Sequence, residues 1–372
     1  MKKLGFLVNP VAGMGGRVGL KGSDGADILR LARQLGAEPE APRRAVQTLE
    51  VVSRIKSQIE VVTYPAEMGE DATRASGLMP KVIGSIVRGA TTAEDTRQAA
   101  HDMENEGVDL ILFAGGDGTA KDIYQAIGQR VPALGIPAGV KIHSSVYAIT
   151  PRHAGEVAVR YLEKKLNLHE AEVMDIDEDA FRRGIVSAKL FGYLQTPEER
   201  RLVQRVKSGG MRADKEALLA IADDVIDDMH PSWLYLVGPG TTTRAIMEQL
   251  GLTSTLLGVD IVRDKRLINS DVNERDLLDD LLDKPAKIVL SVIGGQGYIL
   301  GRGNQQLSPT VLTTVGLENI IVLASKEKLV SLAGKPLLVD TGDEQFDEML
   351  SGYLKVTTGY REYTMYKVGT GE

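Results

Sequence analysis

The sequence predicts an α/β protein with a doubly wound parallel sheet in its N-terminal part and a second, mixed α/β domain after it. Over the first 165 residues, short apolar runs alternate with helix-like stretches, which is the pattern of a parallel sheet covered by helices. The chain has 372 residues, which is longer than a single hydrophobic core usually supports, so two domains are expected. In the second half, apolar and acidic residues begin to alternate, as they do in half-exposed strands.

The first domain, placed at residues 1–165, is predicted from its hydrophobic periodicity. Thr91 or Thr92 is expected to cap one helix, and Pro151 to lie in the first turn of another. The predicted strands lie at 4–8, 59–64, 81–87, 109–114 and 131–139. The predicted helices lie at 24–35, 45–56, 91–106, 120–127 and 151–165.

The second domain, placed at residues 166–372, begins where the pattern loosens near 166–170. Its last segment, polar strands within 353–368, is expected either inside this domain or packed back on the first. The predicted strands lie at 171–177, 181–191, 233–237, 256–262, 286–293, 320–324 and 337–339. The predicted helices lie at 214–229, 245–250, from 325, and at 344–350. In the helix at 214–229, we interpret four aspartates as an outward acidic face rather than a metal site: Asp223, Asp224, Asp227 and Asp228.

Composition excludes several classes of function. The net charge of −7, from 44 basic and 51 acidic residues, argues against a general binder of nucleic acid or anionic membranes. The absence of cysteine removes disulfides, thiolate zinc sites and cysteine nucleophiles. No run of about 18 apolar residues occurs, and Met1-Lys2-Lys3 leads directly into a strand, so we expect a cytoplasmic protein without a membrane span.

The most informative segment is Gly115-Gly116-Asp117-Gly118-Thr119, which closes the apolar run 109–114. A strand of this kind delivers its loop to the carboxyl edge of a parallel sheet, where open α/β folds bind ligands. Glycines let backbone N–H groups approach an anion, and Asp117 adds one fixed carboxylate. The alternative is a tight strand-to-helix turn with Asp117 as the helix N-cap.

A second glycine-rich loop follows the first strand. Asn9-Pro10 ends that strand, and Gly13, Gly15 and Gly16 come next, which suits a loop around a phosphate or diphosphate. No Gly-Lys-Ser/Thr closes it as in a P-loop, and Val18 stands where a dinucleotide fingerprint has Gly or Ala. The alternative is a flexible surface loop.

The second half contains two further candidate anion loops. Gly240-Thr241-Thr242 stands between the strand 233–237 and a helix, so N–H groups, hydroxyls and the helix dipole converge there. This segment locally resembles the phosphate loop of sugar-phosphate isomerases of the ribose-5-phosphate isomerase type; the alternative is a Thr-capped helix. In the loop 294–306, Arg302 suits a phosphate, and Asn304 and Gln305 suit a base edge or a sugar hydroxyl, unless the amides only satisfy their own backbone.

Lys141 and Ser144, which follow Pro137-Ala138-Gly139 in the chain, are further candidates for binding a phosphoryl group or an anion. Lys141 suits the charge of a transferring phosphoryl group, and Ser144 suits the cap of a helix whose positive end faces an anion. Alternatively, Lys141 is a solvated loop lysine. Asn273-Glu274 is interpreted as a helix start.

The pentapeptide 115–119, GGDGT, resembles the signature of the superfamily that contains NAD kinases, diacylglycerol and sphingosine kinases and phosphofructokinases. Within it, the chain is most similar to the AcoX-like branch of the NAD kinase family, through Asn9-Pro10 and its glycine loop, the Pro-Ala-Gly segment, and GRGNQQ-x-SP at 301–309. Related kinases carry Pro-x-Gly-Thr where Val140 stands here. Lys141 and His143 replace the Gly-Asn-Asp of lipid kinases, which makes lipid substrates less expected.

The resemblance implies a Rossmann-like kinase that phosphorylates NAD at the adenosine ribose, with ATP or polyphosphate as donor and Mg²⁺ bridging the donor's phosphates. The lack of a Ser/His/Asp, zinc or thiol motif also favours phosphoryl transfer. Asp117 would orient or deprotonate the acceptor hydroxyl. The expected phosphate-binding residues are Asn9, Gly13, Gly15, Gly16, Gly115, Gly116, Gly118 and Thr119. The expected acceptor or second anion site is Lys141, Ser144, Gly240, Thr241, Thr242, Arg302, Asn304 and Gln305.

Two alternatives remain open: a kinase of another small alcohol (a nucleoside, sugar or keto-compound), and a nucleotide-binding regulator without turnover. Small molecules, not nucleic acids or membranes, are the expected partners, together with further copies of the chain in a homo-oligomer. No protein-held metal site is expected.

Overall fold

The structure is a computed structural model that describes residues 1–20, 26–140, 142–176, 188–199, 214–255, 258–293 and 296–370. These residues form two compact units. The first unit holds the described residues up to 199 except 15–20. The second unit holds 15–20 and everything described from 214 onwards.

A five-stranded, all-parallel sheet forms the centre of the first unit, in the order β3-β2-β1-β4-β5. Strand order reverses between β1 and β4, so the carboxyl ends of these two strands flank the crevice where doubly wound folds bind ligands. The strands are β1 Lys2–Val8, β2 Ile59–Thr63, β3 Pro80–Val82, β4 Leu110–Gly115 and β5 Ala133–Pro137. The helices are α1 Ala26–Gln34, α2 Ala41–Val52, α3 Glu70–Ala75, α4 Ala93–Asn105, α5 Asp117–Ile127 and α6 Pro151–Leu162.

Both faces of this sheet are buried. Leu110 and Leu112 of β4 belong to the core that also contains residues of α2 and α6, whereas Ile111 and Phe113 belong to the core on the α4 and α5 side. The alternation follows from the two-residue period of a strand, and burial on both faces explains why the sequence of β4 is a continuous apolar run. The predicted doubly wound fold is confirmed.

A two-stranded antiparallel hairpin, β6 Leu168–Ile176 and β7 Ala188–Pro197, also belongs to the first unit. The Thr196 hydroxyl donates a hydrogen bond to the Ala133 carbonyl (3.0 Å), and the Ser145 N–H donates to the Glu172 carbonyl (2.9 Å). These contacts attach the hairpin to the β5 region. The division between the units therefore lies later in the chain than the boundary predicted at 166–170.

An eight-stranded mixed sheet forms the second unit, in the order β10-β9-β8-β11-β12-β14-β15-β13. The central strands β8, β11, β12 and β14 run parallel. Strand β9 pairs antiparallel with both β8 and β10, and β15 pairs antiparallel with β14 but parallel with β13. The strands are β8 Leu234–Val237, β9 Asp260–Arg263, β10 Arg266–Asn269, β11 Ala286–Ser291, β12 Ile320–Leu323, β13 Leu337–Leu338, β14 Gly352–Gly359 and β15 Glu362–Gly369. The helices are α7 Asp214–Asp227, α8 Thr241–Gln249, α9 Glu274–Leu281, α10 Pro309–Val315, α11 Lys326–Ser331 and α12 Glu344–Met349.

Several predicted elements need correction. The strand predicted at 81–87 ends at Val82, and α2 begins at Ala41 because Pro42 suits the first turn of a helix. Helix α10, capped by Ser308, was not predicted. Asp224 was predicted on the outward acidic face of α7, and this prediction is wrong. Its side chain is buried and accepts a hydrogen bond from the Arg361 N–H (2.7 Å). The predicted strand at 181–191 falls partly outside the described residues, and strand β7 begins at Ala188.

Caps were predicted more reliably. Thr92 caps α4 through a capping box with Asp95, and Pro151 stands at the start of α6. Asn273 caps α9 by accepting the Asp276 N–H (3.0 Å), as expected from its Asn-Glu pair. Packing of the last segment onto the first domain stays a prediction; its strands β14 and β15 pair within the second sheet.

Candidate functional site

The GGDGT loop lies at the carboxyl end of β4, beside the reversal of strand order. Gly115 is the last residue of β4, and Gly116 is the extended N-cap of α5. Asp117 is therefore the first residue of the helix, and the alternative prediction that it is the N-cap is wrong. Gly118 and Thr119 follow in the first helical turn, whose N–H groups have no intrahelical acceptor.

The Asp117 carboxylate binds the loop that follows β5. Oδ1 accepts the Ser144 N–H (2.9 Å), and Oδ2 accepts the His143 N–H (2.8 Å) and lies 3.3 Å from His143 Nδ1. Only 10% of the Asp117 side chain is exposed, so its position is fixed by these contacts. The structure thus brings together the predicted catalytic residue and the segment after Pro137-Ala138-Gly139.

Close packing of glycines holds the two loops together. The N–H groups of Ala138 and Gly139 both donate to the Gly115 carbonyl (3.0 and 3.1 Å). A Cβ on Gly139 would lie 2.8 Å from the Gly116 Cα, so any larger residue would push the loops apart. The buried Tyr147 hydroxyl donates to the Gly116 carbonyl (2.5 Å) and fixes the turn from behind.

Asn9 joins the end of β1 to the same site. Its Nδ2 donates to the Thr119 hydroxyl (3.0 Å), and its Oδ1 accepts the Val11 N–H (3.2 Å). These bonds position the first turn of α5 and start the loop after β1. Gly13 in that loop adopts a left-handed conformation (φ +81°) against the Ala138 carbonyl, where a Cβ would clash.

Residues 15–20, the remainder of the predicted glycine loop that the structure describes, belong to the second unit. A Cβ on Gly16 would lie 3.1 Å from the Gln305 Cβ, and the Arg17 carbonyl accepts the Glu274 N–H (3.2 Å). The Leu20 N–H donates to the Gly15 carbonyl (2.8 Å), which closes a turn. Gly15 and Gly16 are thus buried packing positions, whereas Arg17 is exposed.

In the second unit, Gly240 is the N-cap of α8, which begins at Thr241. The alternative prediction of a Thr-capped helix is wrong. Lys328 of α11 extends to this turn, its Nζ 2.8 Å from the Thr242 hydroxyl and 3.2 Å from that of Thr241. The turn therefore combines a helix N-terminus, two hydroxyls and an ammonium group, all of which suit an anion.

The remaining predicted residues are less suited to a ligand. Arg302 is only 5% exposed, and its guanidinium lies over the Tyr298 ring (4.9 Å) and 3.5 Å from the Asp340 carboxylate. The Asn304 side-chain amide accepts the Gly301 N–H and donates to the Ile299 carbonyl (both 2.9 Å). For Asn304, the alternative prediction that the amide bonds to the loop's own backbone is therefore confirmed.

Ser144 does not cap a helix, and that prediction is wrong. Its buried hydroxyl accepts the Met174 N–H (3.0 Å), and the next helix begins only at Pro151. Lys141 lies outside the described residues.

Sequence reasoning missed His143, Tyr147 and Lys328 as parts of these sites. His143 stood out only as a departure from the lipid-kinase pattern. Nothing in the sequence links Lys328 to Thr242, because 86 residues separate them and only the pairing of the strands between them brings them together.

The described residues of the first unit suit a magnesium ion that arrives bound to a nucleotide, not one held by protein side chains alone. Among the described residues, no three His, Asp or Glu side chains are grouped as a metal site. Asp117 supplies a single carboxylate, and Mg²⁺ commonly binds to one or two carboxylates together with substrate phosphates and waters. The residues present thus fit a magnesium ion that enters with a nucleotide.

Together, the fold and the site define a two-domain α/β protein that carries a glycine-rich loop and a fixed carboxylate at the switch point of a doubly wound sheet. A family model described as the ATP-NAD kinase N-terminal domain matches residues 4–166, and one described as the ATP-NAD kinase C-terminal domain matches residues 233–368. The chain therefore belongs to the ATP-NAD kinase superfamily, a group of phosphotransferases. Searches of curated proteins and of solved structures each returned no match. None of the described helices has both the length and the apolarity that a bilayer crossing requires.

Proposed function

We propose that this protein phosphorylates NAD at the adenosine ribose to give NADP, with ATP or polyphosphate as the phosphoryl donor. Family membership supports a kinase. The observation that carries the proposal is the position of Asp117, which starts α5 at the switch point of the first sheet and does not cap the helix.

In this proposal, Asp117 orients or deprotonates the acceptor hydroxyl. A carboxylate oxygen has two lone pairs, so accepting an N–H from the loop leaves capacity for a substrate hydroxyl. The N–H groups of 116–119 at the start of α5 would hold donor phosphates through the positive end of the helix. Asn9, Thr119 and Gly13 shape this turn, and Gly15 and Gly16 shape the adjoining loop.

Magnesium, when bound with the donor, would neutralise charge that develops on the phosphates. The protein's own contribution is positioning: two loops are fixed to each other before any substrate arrives, so little reorganisation is needed.

The turn at Gly240, Thr241 and Thr242 is proposed as a second anion site, with Lys328 as its cation. Arg302 and Asn304 enter the proposal as residues that shape the loop after β11. Arg302 contacts Tyr298 in this loop and pairs with Asp340 outside it, and the Asn304 amide donates to the Ile299 carbonyl. Gln305, which packs beside Gly16, is also proposed for a second anion site. Separately, Lys141 and Ser144 are proposed as acceptor residues, and the Ser144 N–H bonds to Asp117.

The GRGNQQ-x-SP segment supports placing the chain in the AcoX-like branch, and the structure gives part of it a role: Ser308 and Pro309 cap and begin α10. We also propose a cytoplasmic homo-oligomer that acts on small molecules.

The test is an acceptor screen with the full chain, Mg²⁺ and either ATP or polyphosphate. NAD, nucleosides, sugars and keto-compounds serve as acceptors, and products are identified by mass spectrometry. We expect NADP to form fastest. A different phosphorylated product would replace NAD kinase with the small-alcohol kinase, and tight nucleotide binding without any product would support the regulator instead.

A further inference from the structure

The Asp117 carboxylate is held asymmetrically. Among the described residues, Oδ2 accepts the His143 N–H (2.8 Å) and lies 3.3 Å from the ring atom Nδ1 of the same residue, whereas Oδ1 accepts one hydrogen bond, from the Ser144 N–H (2.9 Å). The imidazole and the carboxylate are both about nine-tenths buried, so this geometry is enforced by the surrounding loop.

An ionised carboxylate only accepts hydrogen bonds, so an Nδ1 that bonds to it must carry a proton. We infer that His143 is a positioning residue, which donates Nδ1–H to Oδ2 and thereby leaves Oδ1 as the oxygen that faces the acceptor hydroxyl. With two donors, both lone pairs of Oδ2 are used, whereas Oδ1 has one lone pair that no donor among the described residues occupies.

The catalytic part of this inference rests on the proposed function. Its structural part, the protonation of Nδ1 by contact with Asp117, does not. A residue that only filled space between the loops would also be buried, so the tests separate hydrogen bonding from packing.

The first test needs no substrate. In ¹⁵N–¹H spectra of the full chain, His143 is one of five histidines and is identified from the His143→Asn spectrum. We expect a protonated Nδ1 whose shift changes in Asp117→Asn. A neutral ring with its proton on Nε2 would overturn the inference, whether or not the protein proves to be an NAD kinase.

The second test uses turnover. His143→Phe keeps an aromatic ring but removes the donor, and we expect kcat to fall about 10- to 100-fold, the loss typical of a hydrogen bond to a charged group, with KM values within about twofold. His143→Asn, whose amide can donate at a similar place, should recover most of that loss. His101→Phe, an exposed position on α4, is the matched control and should leave kcat unchanged.

A double-mutant comparison of residues 117 and 143 decides whether His143 acts by hydrogen bonding to Asp117 or only by packing. In an Asp117→Asn background, His143→Phe should cause no further fall in kcat, because the bond it removes acts only through that carboxylate. A further loss of the same size, no recovery by His143→Asn, or a change confined to KM would overturn the positioning role. Absence of any phosphorylated product from the wild type would instead refute the proposed function, and the spectra would still decide the inference.

Discussion

Asp117 shows how a sequence motif acquires a specific role at the scale of one residue. An aspartate after glycines and before a helix is an ordinary N-cap. Here Gly116 takes the cap position, and the carboxylate instead accepts two backbone N–H groups from 143–144. The side chain thus connects two strand-end loops.

Tyr147 makes the first residue-scale prediction. Tyr147→Phe removes the hydroxyl that donates to the Gly116 carbonyl but keeps the ring packed on Phe113. We expect the free energy of unfolding to fall by about 1 kcal/mol, the usual net value of such a bond, and kcat to fall because the turn before Asp117 loosens. Urea unfolding and the kinase assay measure these effects. Tyr235→Phe in the second unit is the control, and an equal loss of kcat there would contradict the local explanation.

The sequence predicted Asp117, Asn9 and Thr119 as one site because each follows a buried strand of a parallel sheet. It did not predict that Arg302 is buried against Tyr298 and Asp340, because composition alone cannot tell an arginine for phosphate from one held by internal partners. Lys328 was missed because its partners come from distant strands and helices.

At the scale of elements, the close approach of two loops depends on a residue without a side chain. Gly139→Ala places a Cβ 2.8 Å from the Gly116 Cα. We expect a loss of about 1–3 kcal/mol in the free energy of unfolding, typical of overpacking, together with reduced turnover.

The control for this change is Gly89→Ala. Unlike Gly139, Gly89 has a positive φ (+78°), and open space surrounds it, so its substitution introduces backbone strain without a clash. Urea unfolding and the kinase assay compare the two variants. Full activity in Gly139→Ala would show that the two loops need not touch.

The turn between β8 and α8 gives a second element-scale prediction. Lys328→Met removes the ammonium beside Thr241 and Thr242, and we expect the dissociation constant for inorganic pyrophosphate to rise at least about tenfold, as for loss of one charge-assisted hydrogen bond.

Lys326→Met on the same helix is the matched control, since Lys326 pairs instead with Glu362 (2.5 Å). Calorimetric titration of the full-length variants measures the difference. Equal affinities for the two variants would remove the anion role of this turn.

At the scale of the whole molecule, the fold class and most elements were predictable because burial on two faces, helical periodicity and caps are local properties. The division between the units was not, since the hairpin β6–β7 is attached to the first unit through contacts with residues such as Ala133. The sequence also did not show that the glycine loop after β1 is divided between the units, with Gly13 in the first unit and residues 15–20 in the second.

Acid should destabilise the first unit through paired carboxyl groups. Burial tends to raise the pKa of Asp109, but hydrogen bonds from Lys2 and the Lys3 N–H lower it overall. Bonding to Lys81 likewise lowers the pKa of Glu106. Because these pKa values are lower in the folded than in the unfolded state, the stabilisation is present above the unfolded values near 4 and lost as pH falls through the folded values.

We therefore expect the free energy of unfolding to decrease below about pH 4, and to decrease less steeply in Asp109→Asn. Urea unfolding followed by circular dichroism across this range measures both slopes. Identical slopes for the variant and the wild type would contradict a role of Asp109.

The central claim is that the Asp117 carboxylate serves phosphoryl transfer to NAD. The most direct test measures kcat for NADP formation and the dissociation constant for ATP in Asp117→Asn, with Asp122→Asn on the same helix as control. We predict that kcat falls at least about 100-fold in Asp117→Asn while the dissociation constant changes by less than about threefold, because loss of an acid–base group affects the transition state. Wild-type turnover in Asp117→Asn, or equal losses in turnover and binding, would contradict the claim.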